Sequence, residues 1–216
     1  MARLFLVRHG QTELNKAGLL RGEIDVPLDE TGEEEARLLG EVFAGVEIGT
    51  IVSSPLLRAR ETARRLAEAT NVAVALDERL GDRRYGQWAG RASSEAEELF
   101  GSIDAAPGVE PFGELEARVV AAAAGALVAA PAGKGAAGLT PVALVTHDAV
   151  LRALLRRLLP PAVSSTRLDL PTGCWCELVR PPGNRPWTAV HLGEHPSNGR
   201  RPAAVGVETG PEEGQS

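Results

Sequence analysis

The chain has 216 residues, 44% of them hydrophobic and 4% aromatic, with 23 Lys and Arg against 29 Asp and Glu for a net charge of -6. That is enough apolar material for one buried core, while the negative balance argues against nucleic-acid or membrane-surface partners, since either polyanion would be repelled at long range. Only four apolar residues separate Arg3 from Arg8, and no apolar run approaches the roughly 20 residues that span a bilayer, so a cytoplasmic protein is expected.

The first element is the run Arg3-Leu4-Phe5-Leu6-Val7, too short for a helix and apolar throughout, as a strand buried on both faces should be. It breaks into Arg8-His9-Gly10, delivering a guanidinium and an imidazole to the carboxyl edge of a sheet, where open α/β folds bind ligands. Residues 11 to 30 lack helical periodicity and suggest a loop over that edge. Thr31 can cap a helix whose Glu33 to Glu35 suit the N-terminal dipole and whose Ala36, Leu38, Leu39 and Val42 form an apolar stripe. Thr50 to Ser54 predicts a second strand, followed after Pro55 by a helix to about Ala69, with Arg58 and Arg60 at the junction. A short strand over Val72 to Leu76 leads into an ordered, charged loop over 77–90.

A helix is expected around Ser94 to Phe100, and a long alanine-rich helix over Glu114 to Ala130. Val142 to Val145 forms another buried strand ending at Thr146-His147-Asp148, with a helix over Ala149 to Leu159. Cys174 to Val179 and Trp187 to Leu192 suggest a hairpin. Cys174 and Cys176 share one face of that strand and are expected to be reduced packing residues. Together with His9, His147, His191 and His195 they show no standard zinc spacing, so no metal is expected. Residues 1–195 are expected to form a single domain and 196–216, rich in glycine, proline and glutamate, a disordered tail.

Three strand ends thus present Arg8 with His9, Arg58, and His147 on one sheet edge, a set suited to a dianion. Arginine forks match phosphate oxygens, and helix N-termini after Ser53-Ser54 and Thr146 add backbone donors. The surrounding cations should lower the imidazole pKa and leave a ring nitrogen nucleophilic near neutrality. Taken singly, Arg58 could be a solvated helix charge and His147 a core histidine.

Leu6-Val7-Arg8-His9-Gly10-Gln11-Thr12, Ser53-Ser54-Pro55-Leu56-Leu57-Arg58-Ala59-Arg60-Glu61-Thr62-Ala63 and Val145-Thr146-His147 resemble the histidine phosphatase superfamily, also called phosphoglycerate mutase-like, over about residues 3 to 192. The resemblance implies a three-layer α/β fold, with a mixed, mostly parallel sheet flanked by helices on both faces. It implies that His9 is the nucleophile that becomes phosphohistidine, that Arg8, Arg58 and His147 hold the phosphoryl oxygens, and that Asn15 and Arg21 line the same pocket.

The chemistry also needs a proton donor for the leaving alkoxide. In the family this is usually a Glu, in a pattern like Glu-x-x-x-Gly-x-Trp-Glu-Gly. Here Asp82-Arg83-Arg84-Tyr85-Gly86-Gln87-Trp88-Ala89-Gly90 puts Asp82 at that position, one methylene shorter. Asp82 is the first candidate acid, with Glu78 and Glu114 as reserves; paired with Arg83 or Arg84, it would instead be an ordinary loop carboxylate. Glu114 lies in a segment like the family's Gly-Glu-Ser, with Leu115 in place of Ser. Asp148, unusual after the second histidine, is expected to turn away from the phosphate site toward Arg152.

Residues 91 to 111 carry a single cation, Arg91, among five acidic residues, and so lack the basic insertion of the mutases. The expected function is therefore a phosphomonoesterase acting on a small phosphorylated metabolite, without cofactor, nucleic acid or membrane; its oligomeric state is open, a homodimer being one option. Phosphoglycerate mutase-type transfer and an inactive phosphate-binding or interaction domain are the alternatives.

Overall fold

The computed structural model describes residues 1–131, 140–164, 168–183 and 185–202. Six strands form one sheet: β1 (Ala2–Arg8), β2 (Thr50–Ser53), β3 (Val74–Leu76), β4 (Val142–Thr146), β5 (Trp175–Arg180) and β6 (Thr188–Glu194), in the order β3-β2-β4-β1-β5-β6. The pairs β2–β3, β2–β4 and β1–β4 are parallel, whereas β5 and β6 close one side antiparallel, giving the mixed sheet expected.

Alternation along β1 builds both layers of the core. Leu4 and Leu6 face one side with Val142, Leu144, Cys176 and Leu178, beneath helices α5 (Phe112–Ala129) and α6 (Asp148–Leu158). Phe5 and Val7 face the other with Ile51, Ala143, Val145 and Trp175, beneath α2 (Glu30–Phe43) and α3 (Leu57–Thr70). All four of these β1 side chains are fully buried, which explains why the run is apolar without alternation. Two short helices, α1 (Glu13–Lys16) and α4 (Ser93–Phe100), lie in the connecting segments, and α7 (Pro161–Ser164) follows α6.

Local chemistry moves several expected boundaries. Residues 11–30 contain α1 because Thr12 and Asn15 form a capping box that a periodicity search over four residues cannot detect. α2 starts at Glu30 rather than after Thr31, since the Asp29 carboxylate accepts from the Gly32 amide at 2.8 Å. β3 loses Val72 and Ala73 at its start, directly after Asn71, which is in the left-handed region as the C-cap of α3. The loop after β3 holds two 3-10 turns, Glu78–Leu80 and Gly86–Trp88. Both cysteines are buried free thiols whose pKa burial pushes up, that of Cys176 to about 11. The expected tail opens with a 3-10 turn, Pro196–Asn198, and residues 203–216 lie outside the described ones. Among the described residues no helix is long and apolar enough to cross a membrane.

The close approach of α2 to the end of β1 requires glycine on both sides. A Cβ on Gly32 would lie 2.0 Å from the Gln11 carbonyl oxygen, and one on Gly10 would lie 2.4 Å from the Gly32 carbonyl oxygen. Gly32→Ala should therefore destabilise the protein by about 1–3 kcal/mol, read as a lowered urea midpoint with an unchanged slope.

Candidate active site

Parallel register brings three strand ends to one edge. Arg8 pairs with Thr146 and Ser53 with Val145, and the ladder runs one residue further as the His9 amide donates to the Thr146 carbonyl and the Ser54 amide to the Val145 carbonyl, both at 2.9 Å. His9, Ser54 and His147 thus leave adjacent strands side by side. The chain beyond His9 is fixed by side chains from both covering helices: the Gly10 amide donates to Thr62 Oγ1 at 3.1 Å, and the Gln11 amide to Glu35 Oε2 at 2.8 Å.

His9 is fully buried, its ring centroid 5.1 Å from that of His147. Its Nδ1 lies 2.6 Å from the Gly10 carbonyl, an acceptor only, so Nδ1 carries the proton and Nε2 keeps a free lone pair. Nε2 has no hydrogen-bond partner among the described residues. The pKa of His9 is well below its ordinary value, as expected, but burial is the first cause and the nearby Arg58 and Arg8 only reinforce it. His147 is depressed for the same reasons. Its Nε2 lies 2.8 Å from Ser54 Oγ, which also accepts from the Leu56 amide. When the Ser54 hydroxyl donates to Nε2, Nδ1 of His147 bears the proton, and that Nδ1 has no hydrogen-bond partner among the described residues.

Arg58 is fully buried at the start of α3. Its two terminal nitrogens donate to the Ile24 and Gly22 carbonyls at 2.9 Å, and Nη2 also meets Asp82 Oδ2 at 3.2 Å. The same Asp82 oxygen stands 4.0 Å from His147 Nδ1, so the candidate acid is inside the cluster. Its other oxygen, Oδ1, accepts the Arg83 backbone amide at 2.9 Å, but the guanidinium groups of its sequence neighbours do not bind it. The Arg83 guanidinium turns to the Glu110 carbonyl and Asp104, and Arg84 lies near Glu110 and Glu114. Burial raises the Asp82 pKa above the ordinary carboxylate value, against the opposing pull of Arg58 and Arg21.

Arg21 reaches the cluster electrostatically, acting on His9, Arg58, Asp82 and His147, and its Nε is buried without a protein partner. Nε atoms of Arg8 and Arg58 share that state. Arg8 donates through Nη1 to the Leu170 carbonyl. Asp148 does bind Arg152, at 2.8 and 3.1 Å, yet its Oδ1 also lies 3.6 Å from Arg8, so it steadies a pocket cation instead of turning wholly away. Asn15 spends its amide oxygen on the Thr12 backbone and hydroxyl, which leaves its NH2 group as the one able to reach a ligand.

Glu114 is not drawn into the cluster: its side chain is exposed at the N-terminus of α5, 3.9 Å from Arg84. Glu78 is exposed on the first 3-10 turn, and Leu115 is fully buried in the core. Sequence reasoning passed over Ser54 and Thr62 as participants. Ser54 orients His147; Thr62 ties the Gly10 amide to the Arg58 carbonyl, to which its hydroxyl donates at 2.8 Å. Both sit in the quoted motif around Arg58, and that membership was the available signal. Among the described residues no group of His, Cys, Asp and Glu is placed to hold a metal ion.

The chain is 34% identical over 206 residues to glucosyl-3-phosphoglycerate phosphatase of Mycobacterium tuberculosis, covering 87% of this chain and 84% of that protein. It is 32% identical over 170 residues to an uncharacterized phosphatase of Bacillus subtilis, covering 78% and 84%. The solved structure of a mycobacterial glucosyl-3-phosphoglycerate phosphatase complexed with VO3 superposes with a TM-score of 0.78 at 28% identity, over 88% of this chain and 98% of that one. With the model of branch 1 of the histidine phosphatase superfamily matching residues 4–194, the chain belongs to that superfamily.

Proposed function

We propose that this protein is a phosphomonoesterase that hydrolyses a small phosphorylated metabolite through a phosphohistidine on His9. The observation that carries the reading is the state of His9: a buried imidazole, neutral, with Nδ1 tied to Gly10 and Nε2 without a hydrogen-bond partner among the described residues, beside His147 and in the field of Arg58 and Arg8. Nδ1 bonded to a carbonyl oxygen also stabilises the positive ring that forms when Nε2 bonds to phosphorus.

In the first step His9 Nε2 attacks phosphorus in line with the ester oxygen, the P–O bond breaks, and the Asp82 carboxyl gives its proton to the departing alkoxide. Arg8, Arg21, Arg58 and the His147 Nδ1–H hold the equatorial oxygens and match the charge that spreads over them. In the second step water attacks the phosphohistidine, the P–N bond breaks, and the Asp82 carboxylate takes the water's proton. Inorganic phosphate leaves and the starting protonation state returns. The raised pKa of Asp82 suits both halves, since it must carry a proton first and lose it next.

Hydrolysis is favoured over mutase transfer because Arg91 is ion-paired to Glu95 at the surface, so residues 91–111 offer no free cation for a second phosphate. The buried thiols Cys174 and Cys176 suit a cytoplasmic setting. The substrates named for the relatives, glucosyl-3-phosphoglycerate and phosphoserine, together with 3-phosphoglycerate, make the first panel.

Turnover of p-nitrophenyl phosphate should persist in EDTA and be lost in His9→Ala; an active His9→Ala would refute the nucleophile. Asp82→Asn should lower kcat on an alkyl phosphate by about 10²–10⁴-fold. The pH profile carries a sign. Because the folded pKa of His9 lies well below its ordinary value, the imidazole stays unprotonated as pH falls through that value, so kcat should show no drop near the ordinary histidine pKa. It should fall as pH rises through the Asp82 pKa, and Asp82→Asn should flatten that fall. With 3-phosphoglycerate and 2,3-bisphosphoglycerate, phosphate release should outrun isomerisation; fast isomerisation would restore the mutase reading.

A further inference from the structure

The segment that delivers Asp82, residues 81–85, belongs to no helix or strand, yet the role above needs its carboxyl placed within tenths of an ångström. One side chain supplies the missing framework. Arg118, on the second turn of α5, makes five hydrogen bonds, as many as a guanidinium has N–H groups. Nη1 donates to the carbonyls of Arg79 at 2.7 Å and Gly81 at 2.8 Å, Nη2 to the carbonyl of Asp82 at 2.9 Å and to Glu110 Oε2 at 2.9 Å, and Nε to Glu110 Oε1 at 2.7 Å.

Glu110 completes the frame from the opposite side. Its carboxylate also accepts the Arg84 amide at 3.2 Å, and its carbonyl accepts two bonds from Arg83, so the two residues that follow Asp82 are anchored to the same buried glutamate. Burial alone would push the Glu110 carboxyl up, but the Arg118 and Arg84 contacts hold it below its ordinary value, which keeps it ionised as a partner. None of these groups touches His9 or the phosphate cations in the contacts above.

We propose that Arg118 is a positioning residue for proton transfer: with Glu110 as its counter-ion, it grips the backbone from Arg79 to Asp82 so that the Asp82 carboxyl stands between Arg58 and His147 at the leaving oxygen. The proposal rests on the reading of Asp82 as the acid. A lysine cannot substitute, because its three donors radiate from one atom and cannot span three carbonyls and a carboxylate.

The test compares leaving groups. Alkyl phosphates need a proton on the departing oxygen, whereas p-nitrophenolate leaves without one, so in the phosphorylation step an error in placing the acid should be felt only on the former. That step is read by kcat/KM, which ends at release of the leaving group and excludes the hydrolysis of phosphohistidine that both substrates share: for Arg118→Lys and Arg118→Ala, kcat/KM on glycerol 3-phosphate should fall at least about tenfold while kcat/KM on p-nitrophenyl phosphate stays within about threefold, a fraction of the full range of acid catalysis. Asp82→Asn, run beside them, should show the same asymmetry more strongly. Added guanidinium should restore part of the alkyl activity of Arg118→Ala and none of that of Asp82→Asn. Equal losses on both substrates in the Arg118 variants, with the asymmetry present in Asp82→Asn, would reduce Arg118 to a structural staple and overturn the proposal while leaving the acid assignment intact. Absence of the asymmetry in Asp82→Asn would overturn the acid assignment itself, and the proposal with it. Should Arg118→Ala fail to fold, Arg118→Lys decides on the same criteria.

Discussion

The hydrogen bond from His9 Nδ1 to the carbonyl of Gly10 is the contact on which the site depends. It selects the tautomer, turns Nε2 toward the cations and holds the ring against rotation. The bond is made where the chain leaves β1, and there the backbone of Gly10 and Gln11 lies against Gly32 of α2 more closely than any Cβ permits. A packing constraint between a strand end and a helix thereby bears on the electronic state of the imidazole that carries the proposed chemistry. Thr62 and Glu35 hold the next two amides, so both helices on that face of the sheet contribute to one ring's orientation.

The charges around that ring would be unfavourable in isolation. Arg8, Arg58 and Arg21 approach two buried histidines, and burial is the larger reason that both histidines remain neutral. Neutral histidines let the cations gather without adding to their repulsion, and a dianionic phosphate completes the charge balance. Asp82 sits inside this field as a group of divided tendency: burial favours its proton and Arg58 opposes it. A carboxyl poised between those influences can act as acid and base in succession. Asp148 performs a quieter task, bridging Arg152 to Arg8 at the pocket's rim.

The fold was largely legible in the sequence because β1, β2 and β4 are short apolar runs ending abruptly in polar residues, a pattern that buried parallel strands produce with few alternatives. His9, Arg58 and His147 could be read because the strand-end logic and the spacing of three motifs converge on them. Less was visible where the information is spread over contacts distant in sequence. The Asp29 cap on Gly32 and the Thr12–Asn15 box depend on which of several polar side chains bends back, a choice made by tertiary packing. Glu114 stood as a reserve to Asp82, and only geometry, placing Glu114 at the surface and Asp82 against Arg58, removes it. Arg118 was invisible as a functional residue, since its five acceptors are mostly backbone carbonyls about 36 to 39 residues away.

The central claim is that phosphate passes through a covalent bond to His9. The direct measurement is rapid acid-free quenching of Asp82→Asn mixed with 32P-labelled p-nitrophenyl phosphate, followed by peptide mapping. The account predicts a stoichiometric, acid-labile and base-stable label on the peptide containing Arg8-His9-Gly10, absent in His9→Ala. An acid-stable label on another residue, or a single turnover that releases phosphate with no protein-bound label at any time, would contradict it.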